Sequence, residues 1–202
     1  MKTRLIFCFL LLVGLGSSSF NTGKTDLVKI STEYGDIVIY LYNATPKHHD
    51  NFVKLTKEKY FDGTTFHRVI KNFVIQGGDP NSKDKDTTND GDGGPAYTIP
   101  AELDSAHIKH KYGALGAARE GDDVNPKRES SGSQFYIVIN PKGTSRLDGK
   151  YTVFGEVVSG MDVAEKIASV PKNKKDRPLK DITMKVELIH SSKYDVAKVQ
   201  VR

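Results

Sequence analysis

Val28, Ile30 and Thr32 alternate with polar neighbours, Gly35-Asp36 interrupts the run, and Ile37, Ile39 and Leu41 resume it. A period of two on both sides of a glycine-containing turn predicts an antiparallel β-hairpin. Thr45-Pro46 then offers a helix N-cap followed by proline at the first helical position. Phe52, Val53 and Leu55, with Tyr60 beyond them, give the next segment one apolar side, so a helix is expected near 46–58. Two strands follow near 65–70 and 73–76, and further strands are expected at 112–118, 135–139, 152–158 and 182–188. A second helix fits 161–168, where Val163, Ala164 and Ile167 share a side. The stretches 80–95 and 120–131 are rich in Asp, Asn, Gly and Lys and predict surface loops. Many short strands with two helices and no βαβ rhythm point to a mainly β chain built as an antiparallel barrel.

At 202 residues, 37% apolar and 27% charged, the chain is long enough for one domain with a real core, and its balance excludes a disordered or membrane-embedded polypeptide. The first twenty residues stand apart. Lys2 and Arg4 precede the apolar run 5–15, and Gly16 and three serines follow it. This matches a secretory signal peptide over 1–19, an uncleaved membrane anchor being the alternative, with the domain at 20–202 and its core at about 26–190. The protein is therefore expected to be exported, to a periplasm, the extracellular space or the lumen of a secretory pathway. Removal of 1–19 lowers the formal charge from +5 to +3 and takes away Cys8, the only cysteine, so the remainder has no thiol chemistry. Asn43-Ala44-Thr45 has glycosylation spacing, but Thr45 is better explained as a helix cap.

The stretch from Thr65 to Asp79, TFHRVIKNFVIQGGD, carries the chemistry. On a strand, Phe66, Arg68 and Ile70 would share one face and His67 and Val69 the other. An arginine does not lose its charge, and burying it alone is costly, so Arg68 must stand at a rim or in an open groove beside apolar walls. A fixed fork of donors against apolar surface suits an uncharged ligand with a few polar atoms, such as a peptide.

FHRVI followed by FVIQGGD resembles the central motif of the cyclophilins, the peptidyl-prolyl cis-trans isomerases. Ser131 to Ile137 resembles that family's second motif, and Leu147 to Tyr151 with Phe154-Gly155 its third. The resemblance covers roughly residues 26–190. It implies a closed eight-stranded antiparallel barrel capped by two helices, rotation about X-Pro bonds without a cofactor, and clients that are proline-containing segments of unfolded or flexible chains. It assigns catalysis to Arg68, with Gln76 and Gln134 offering amides to the substrate backbone. The backbone at Ala118 and Arg119 would pair with an extended peptide, and Phe73, Val74, Tyr136, Leu147 and Tyr151 would hold the proline ring.

The chain departs from the commonest family pattern in several places. Val74 stands at a methionine position, Tyr136 at a phenylalanine, Tyr151 at a histidine and Arg119 at an asparagine. Arg146 replaces a tryptophan that bears on cyclosporin, so weak binding of that drug is expected while catalysis survives. The loop 120–131 is longer than usual and bears on access to the groove from its side.

Other chemistries fit poorly. Asp86, Asp90 and Asp92 lack the calcium-loop spacing, which ends at Tyr97 where a bidentate glutamate belongs. His48-His49 are adjacent and do not converge on a metal. The basic tract 172–177 contains an acid and lacks aromatic stacking residues, so it reads as a solvated loop and nucleic acid is not expected. A monomer is expected. The rival reading is a non-catalytic binder of proline segments, a chaperone or assembly module, but a pure binder has no use for a donor matched to a twisted imide. A structural surface protein would leave Arg68 and Gln76 unexplained.

Overall fold

The computed structural model describes residues 27–103 and 107–189; the expected signal peptide and the boundary at residue 20 lie outside them. The expected hairpin is β1 (Leu27–Thr32) with β2 (Gly35–Leu41), followed by α1 (Pro46–Lys57). Then come β3 (Arg68–Ile70), β4 (Val74–Gly77), β5 (Thr98–Ile99), β6 (Ala114–Ala117), β7 (Ser130–Ser131), β8 (Phe135–Val138) and β9 (Val153–Ser159). The chain closes with α2 (Met161–Ala168) and β10 (Lys185–Ile189). Eight strands make one sheet in the order β10-β1-β2-β9-β6-β8-β4-β3, every described pair antiparallel. The short strands β5 and β7 pair with each other; β7 lies at the end of the expected 120–131 loop, and β5 falls where no element was expected.

Alternation puts Ile30, Ile39, Leu115 and Ile137 on the inner face of the curled sheet, all fully buried. Phe52 from α1 and Ile167 from α2 complete this core. Phe52, Phe61 and Phe135 pack ring on ring, with centroids 4.6 to 5.9 Å apart.

The closure of the barrel is looser than expected. No strand ladder joins β10 to β3. Instead Phe66 N–H donates to the Ile182 carbonyl at 3.0 Å, Met184 N–H to that of Thr64 at 2.9 Å, and Thr65 bridges Thr183. The eight-stranded sheet is thus curled, with a stitched seam. This seam also overturns the expected face assignment. Phe66 and Val69 both enter the core, because pairing of β3 with β4 begins only at Arg68 and Phe66 is placed by the seam.

Thr45 stands at the N-cap of α1, its carbonyl accepting from His49 N–H at 3.0 Å, but its hydroxyl makes no cap bond. The orphan N–H groups of the first turn go to Glu102, which accepts from Lys47 N at 3.1 Å and His48 N at 3.0 Å. Its carboxylate also takes His48 Nδ1 at 2.6 Å, and His48 Nε2 meets Ser130 Oγ at 2.9 Å. The Ser130–His48–Glu102 arrangement looks like a nucleophile relay, but Ser130 is 1% exposed and no substrate can reach it.

Candidate active site

Antiparallel register brings distant residues into one row across four strands. Arg68 on β3 faces Gln76 on β4, Gln76 faces Tyr136 on β8, and Tyr136 faces Gly116 on β6. Paired residues share a face, and this row lies on the side away from the main core. Val74, Ala118, Val138 and Val153 pack there with Phe73, Leu147 and Tyr151 as a second apolar cluster.

A hollow of about 390 Å³ opens further along the same outer face, among Tyr40, Tyr42 and Tyr112. The hollow that concerns the central motif is smaller, about 190 Å³. Nine of the ten site residues predicted from sequence line it. The tenth, Gln134, stands behind Gln76. Val74 and Tyr136 are buried at its base, while Phe73, Leu147 and Tyr151 are half-buried around it.

Arg68 is half-buried, and among the described residues no carboxylate pairs with it. Among the described residues its guanidinium makes one hydrogen bond, a long one from Nη1 to Gln76 Oε1 at 3.5 Å. The direction of that glutamine is fixed by a chain of amides. Gln134 Nε2 donates to the carbonyls of Gly91 and Gly93 at 2.7 and 2.8 Å, so its Oε1 is left to accept from Gln76 Nε2 at 3.0 Å. Gln76 Oε1 therefore points at the guanidinium. Behind this chain the fully buried Asp79 holds the 91–93 segment, accepting from Gly91 N, from Gly93 N at 3.3 Å and from Asn81 N at 2.8 Å. A Cβ on Gly93 would lie 2.2 Å from Asp79 Oδ1, so only glycine permits the approach.

Two guanidinium groups cover aromatic rings at the rim. Arg119 lies 4.4 Å from the Tyr151 centroid and Arg146 4.4 Å from that of Phe73. The Arg119 side chain is 3% exposed and also binds the Lys150 carbonyl through Nε at 2.9 Å and Asp122 through Nη2 at 2.6 Å. Its contribution is thus a built wall as well as backbone.

The expectation for Ala118 needs correction. Its N–H donates to the Gln134 carbonyl and its carbonyl accepts from Ser131 N, so its backbone is already paired. The N–H and C=O of Arg119 take no partner among the described residues.

A third hollow, of about 520 Å³, shares Gln76, Ala118 and Arg119 with the 190 Å³ one and is walled by the 120–131 loop. That loop is tied back on itself by Asn125 to Glu129 and Arg128 to Asp122, and it leaves the hollow open. The acidic 80–95 loop and the basic tract are less solvated than expected, because Asp90 is nearly buried and pairs with Arg177. No cluster of metal-ligating side chains occurs among the described residues.

His110 and Asp148 back Tyr136 from outside the hollow, and neither stood out in the sequence. The available signal was the tyrosine itself, since a hydroxyl in an apolar pocket needs a partner.

The sequence profile of the family described as cyclophilin type peptidyl-prolyl cis-trans isomerase/CLD matches residues 27–187. The chain is 38% identical over 166 residues to peptidyl-prolyl cis-trans isomerase-like 1 of Mus musculus, an alignment covering 80% of this chain and 91% of the mouse protein. It is 39% identical over 166 residues to peptidyl-prolyl cis-trans isomerase-like 2 of Rhizopus delemar, spanning 80% of this chain but only 28% of that longer protein. Among solved structures, a Cryptosporidium parvum cyclophilin type isomerase superposes with a TM-score of 0.71 at 29% identity, over 83% of this chain and 99% of that one. The same protein has been solved in the presence of the dipeptide Ala-Pro. The chain belongs to the cyclophilin-type peptidyl-prolyl cis-trans isomerase family.

Proposed function

We propose that the hollow beside Arg68 receives proline side chains of flexible polypeptides, and that the protein speeds rotation about the preceding peptide bond to assist the folding of exported proteins. The X-Pro bond favours trans by only about 0.5–1 kcal/mol, yet rotates in tens to hundreds of seconds unaided. Its barrier of roughly 18–20 kcal/mol arises from conjugation between nitrogen and carbonyl. No bond is made or broken, so the protein needs only to hold the ring, let the carbonyl swing and favour the twisted state.

Val74, Tyr136 and the half-buried ring of Phe73 hold the proline by apolar contact. The unpartnered backbone of Arg119 aligns the chain. In the twisted state the imide nitrogen becomes pyramidal and gains a lone pair that can accept a hydrogen bond. A donor placed there binds the twisted state better than either planar state, and that difference accelerates rotation.

The observation that carries this reading is the guanidinium of Arg68, cationic, half-buried, unpaired by any described carboxylate and aimed by Gln76 across the proline hollow. The dipeptide used with the Cryptosporidium parvum relative supports the substrate class. Arg146 stacked on Phe73 supports weak cyclosporin binding. The export role rests on residues 1–19 and is tested by locating the mature protein and sequencing its N-terminus. The test of activity is an isomerisation assay on a short proline peptide, comparing the parent with Arg68→Ala. A loss of about tenfold or more is expected; an unchanged rate removes the assigned mechanism and favours the non-catalytic binder.

A further inference from the structure

Tyr136 projects from β8 and lies flat across β6. Room for it exists because position 116 carries no side chain: a Cβ there would stand 2.3 Å from Tyr136 Cζ and 2.5 Å from its hydroxyl oxygen. Beyond Gly116 the hydroxyl meets His110 Nε2 at 2.8 Å. On its other side His110 Nδ1 meets Asp148 Oδ1 at 2.8 Å, and the same oxygen accepts the His110 backbone N–H at 2.9 Å. His110 is 3% exposed and Tyr136 4%.

The protons in this chain can be placed. A carboxylate only accepts, so Nδ1 carries the imidazole hydrogen and Nε2 offers its lone pair to the tyrosine O–H. Burial pushes the His110 imidazole below its ordinary range despite the nearby carboxylate, and raises the Tyr136 phenol well above its own. Asp148 is held low by the two N–H bonds from His110, which outweigh its partial burial. The relay Asp148–His110–Tyr136 is therefore a carboxylate, a neutral imidazole and a neutral phenol at pH 7.

One end of the relay lines the hollow and the other adjoins a lining residue. Tyr136 is its base, and Asp148 directly follows Leu147 in the turn that leads to Tyr151, whose ring meets that of Tyr136 edge-on at 6.2 Å. His110 also accepts Thr144 N–H on its backbone carbonyl at 2.8 Å, so it grips the start of the same turn. The hydrogen bond between the Tyr136 hydroxyl and His110 Nε2 ties the ring down over Gly116.

We propose that His110 is a positioning residue for proline recognition: held by Asp148, it fixes the Tyr136 hydroxyl and so sets the base of the hollow in register with Leu147 and Tyr151. This rests on the isomerase reading for its substrate, but not on catalysis, because the effect is on how the proline ring is held. It acts on KM and on peptide affinity and leaves kcat nearly unchanged.

The test is a double-mutant cycle on His110→Ala and Tyr136→Phe, reading Kd for an Ala-Pro-containing peptide by titration together with KM and kcat. Each single variant should weaken binding about fivefold, the worth of one buried hydrogen bond, with KM rising in step. The double variant should be no weaker than Tyr136→Phe alone. His110→Gln, whose amide oxygen can still accept from the phenol, should recover most of the affinity. Equal losses for His110→Ala in both backgrounds, or a change confined to kcat, overturn the proposal. Should His110→Ala fail to fold, Tyr136→Phe decides alone, since it keeps the ring: parent-like affinity in that variant overturns the assignment. A parent that binds the peptide but does not turn it over defeats the isomerase reading while the affinity cycle still tests the positioning role.

Discussion

Nη1 of Arg68 lies 3.5 Å from Oε1 of Gln76, directly across the β3–β4 register. The glutamine is the last member of an amide chain running from the Gly91 and Gly93 carbonyls through Gln134. Without it the guanidinium keeps its charge but loses its aim. Gln76→Ala should therefore lower kcat about fivefold to tenfold with a smaller change in KM, measured on a proline peptide. A larger rise in KM than fall in kcat would mean that Gln76 mainly binds.

Arg119 stacks on Tyr151 and bonds the Lys150 carbonyl. Arg119→Ala should raise KM severalfold and lower the melting temperature. Arg119→Lys should not rescue either, because an ammonium cannot reproduce the planar fork that reaches ring, carbonyl and carboxylate together. Steady-state kinetics and thermal unfolding on the same samples check both.

Glu102 closes the N-terminus of α1 from far along the chain. Glu102→Ala should destabilise the fold by about 1–2 kcal/mol, seen as a lower denaturant midpoint with an unchanged slope. Glu102→Gln keeps an acceptor and should lose less.

Burial lowers the proton affinity of His48, His67 and His110 below the ordinary imidazole range. Each is thus more readily protonated when unfolded. Their contribution is fully present above the unfolded value of about 6.5 and is lost as pH falls from there towards the folded values. Melting temperature should hold steady from about pH 8 to 7 and drop by several degrees by about pH 5. Neither ring nitrogen of His67 has a hydrogen-bond partner among the described residues, so His67→Phe should soften that drop.

The lining of the hollow was legible through the family resemblance, and its motif residues meet because they fall in register when β3, β4 and β8 pair. Val74, Gln76 and Tyr136 show this: two alternate on one strand, and the third stands opposite. The β1–β2 hairpin and the bounds of α2 also followed from periodicity. What periodicity cannot carry is polar contact between loops. Glu102 reaching Lys47, Asp90 reaching Arg177 and Asp148 reaching His110 join residues 55, 87 and 38 positions apart with no repeating pattern to announce them. The face of Phe66 was misassigned for a related reason, since a seam and not a strand ladder places it.

The most direct measurement is two-dimensional exchange NMR on an Ala-Pro peptide with catalytic amounts of protein, giving the cis–trans exchange rate on the enzyme and the affinity from one titration. With Arg68→Ala the exchange rate should fall about tenfold or more, while affinity changes by less than about threefold. An exchange rate equal to the parent's, or a loss that resides wholly in affinity, would contradict the role given to that guanidinium.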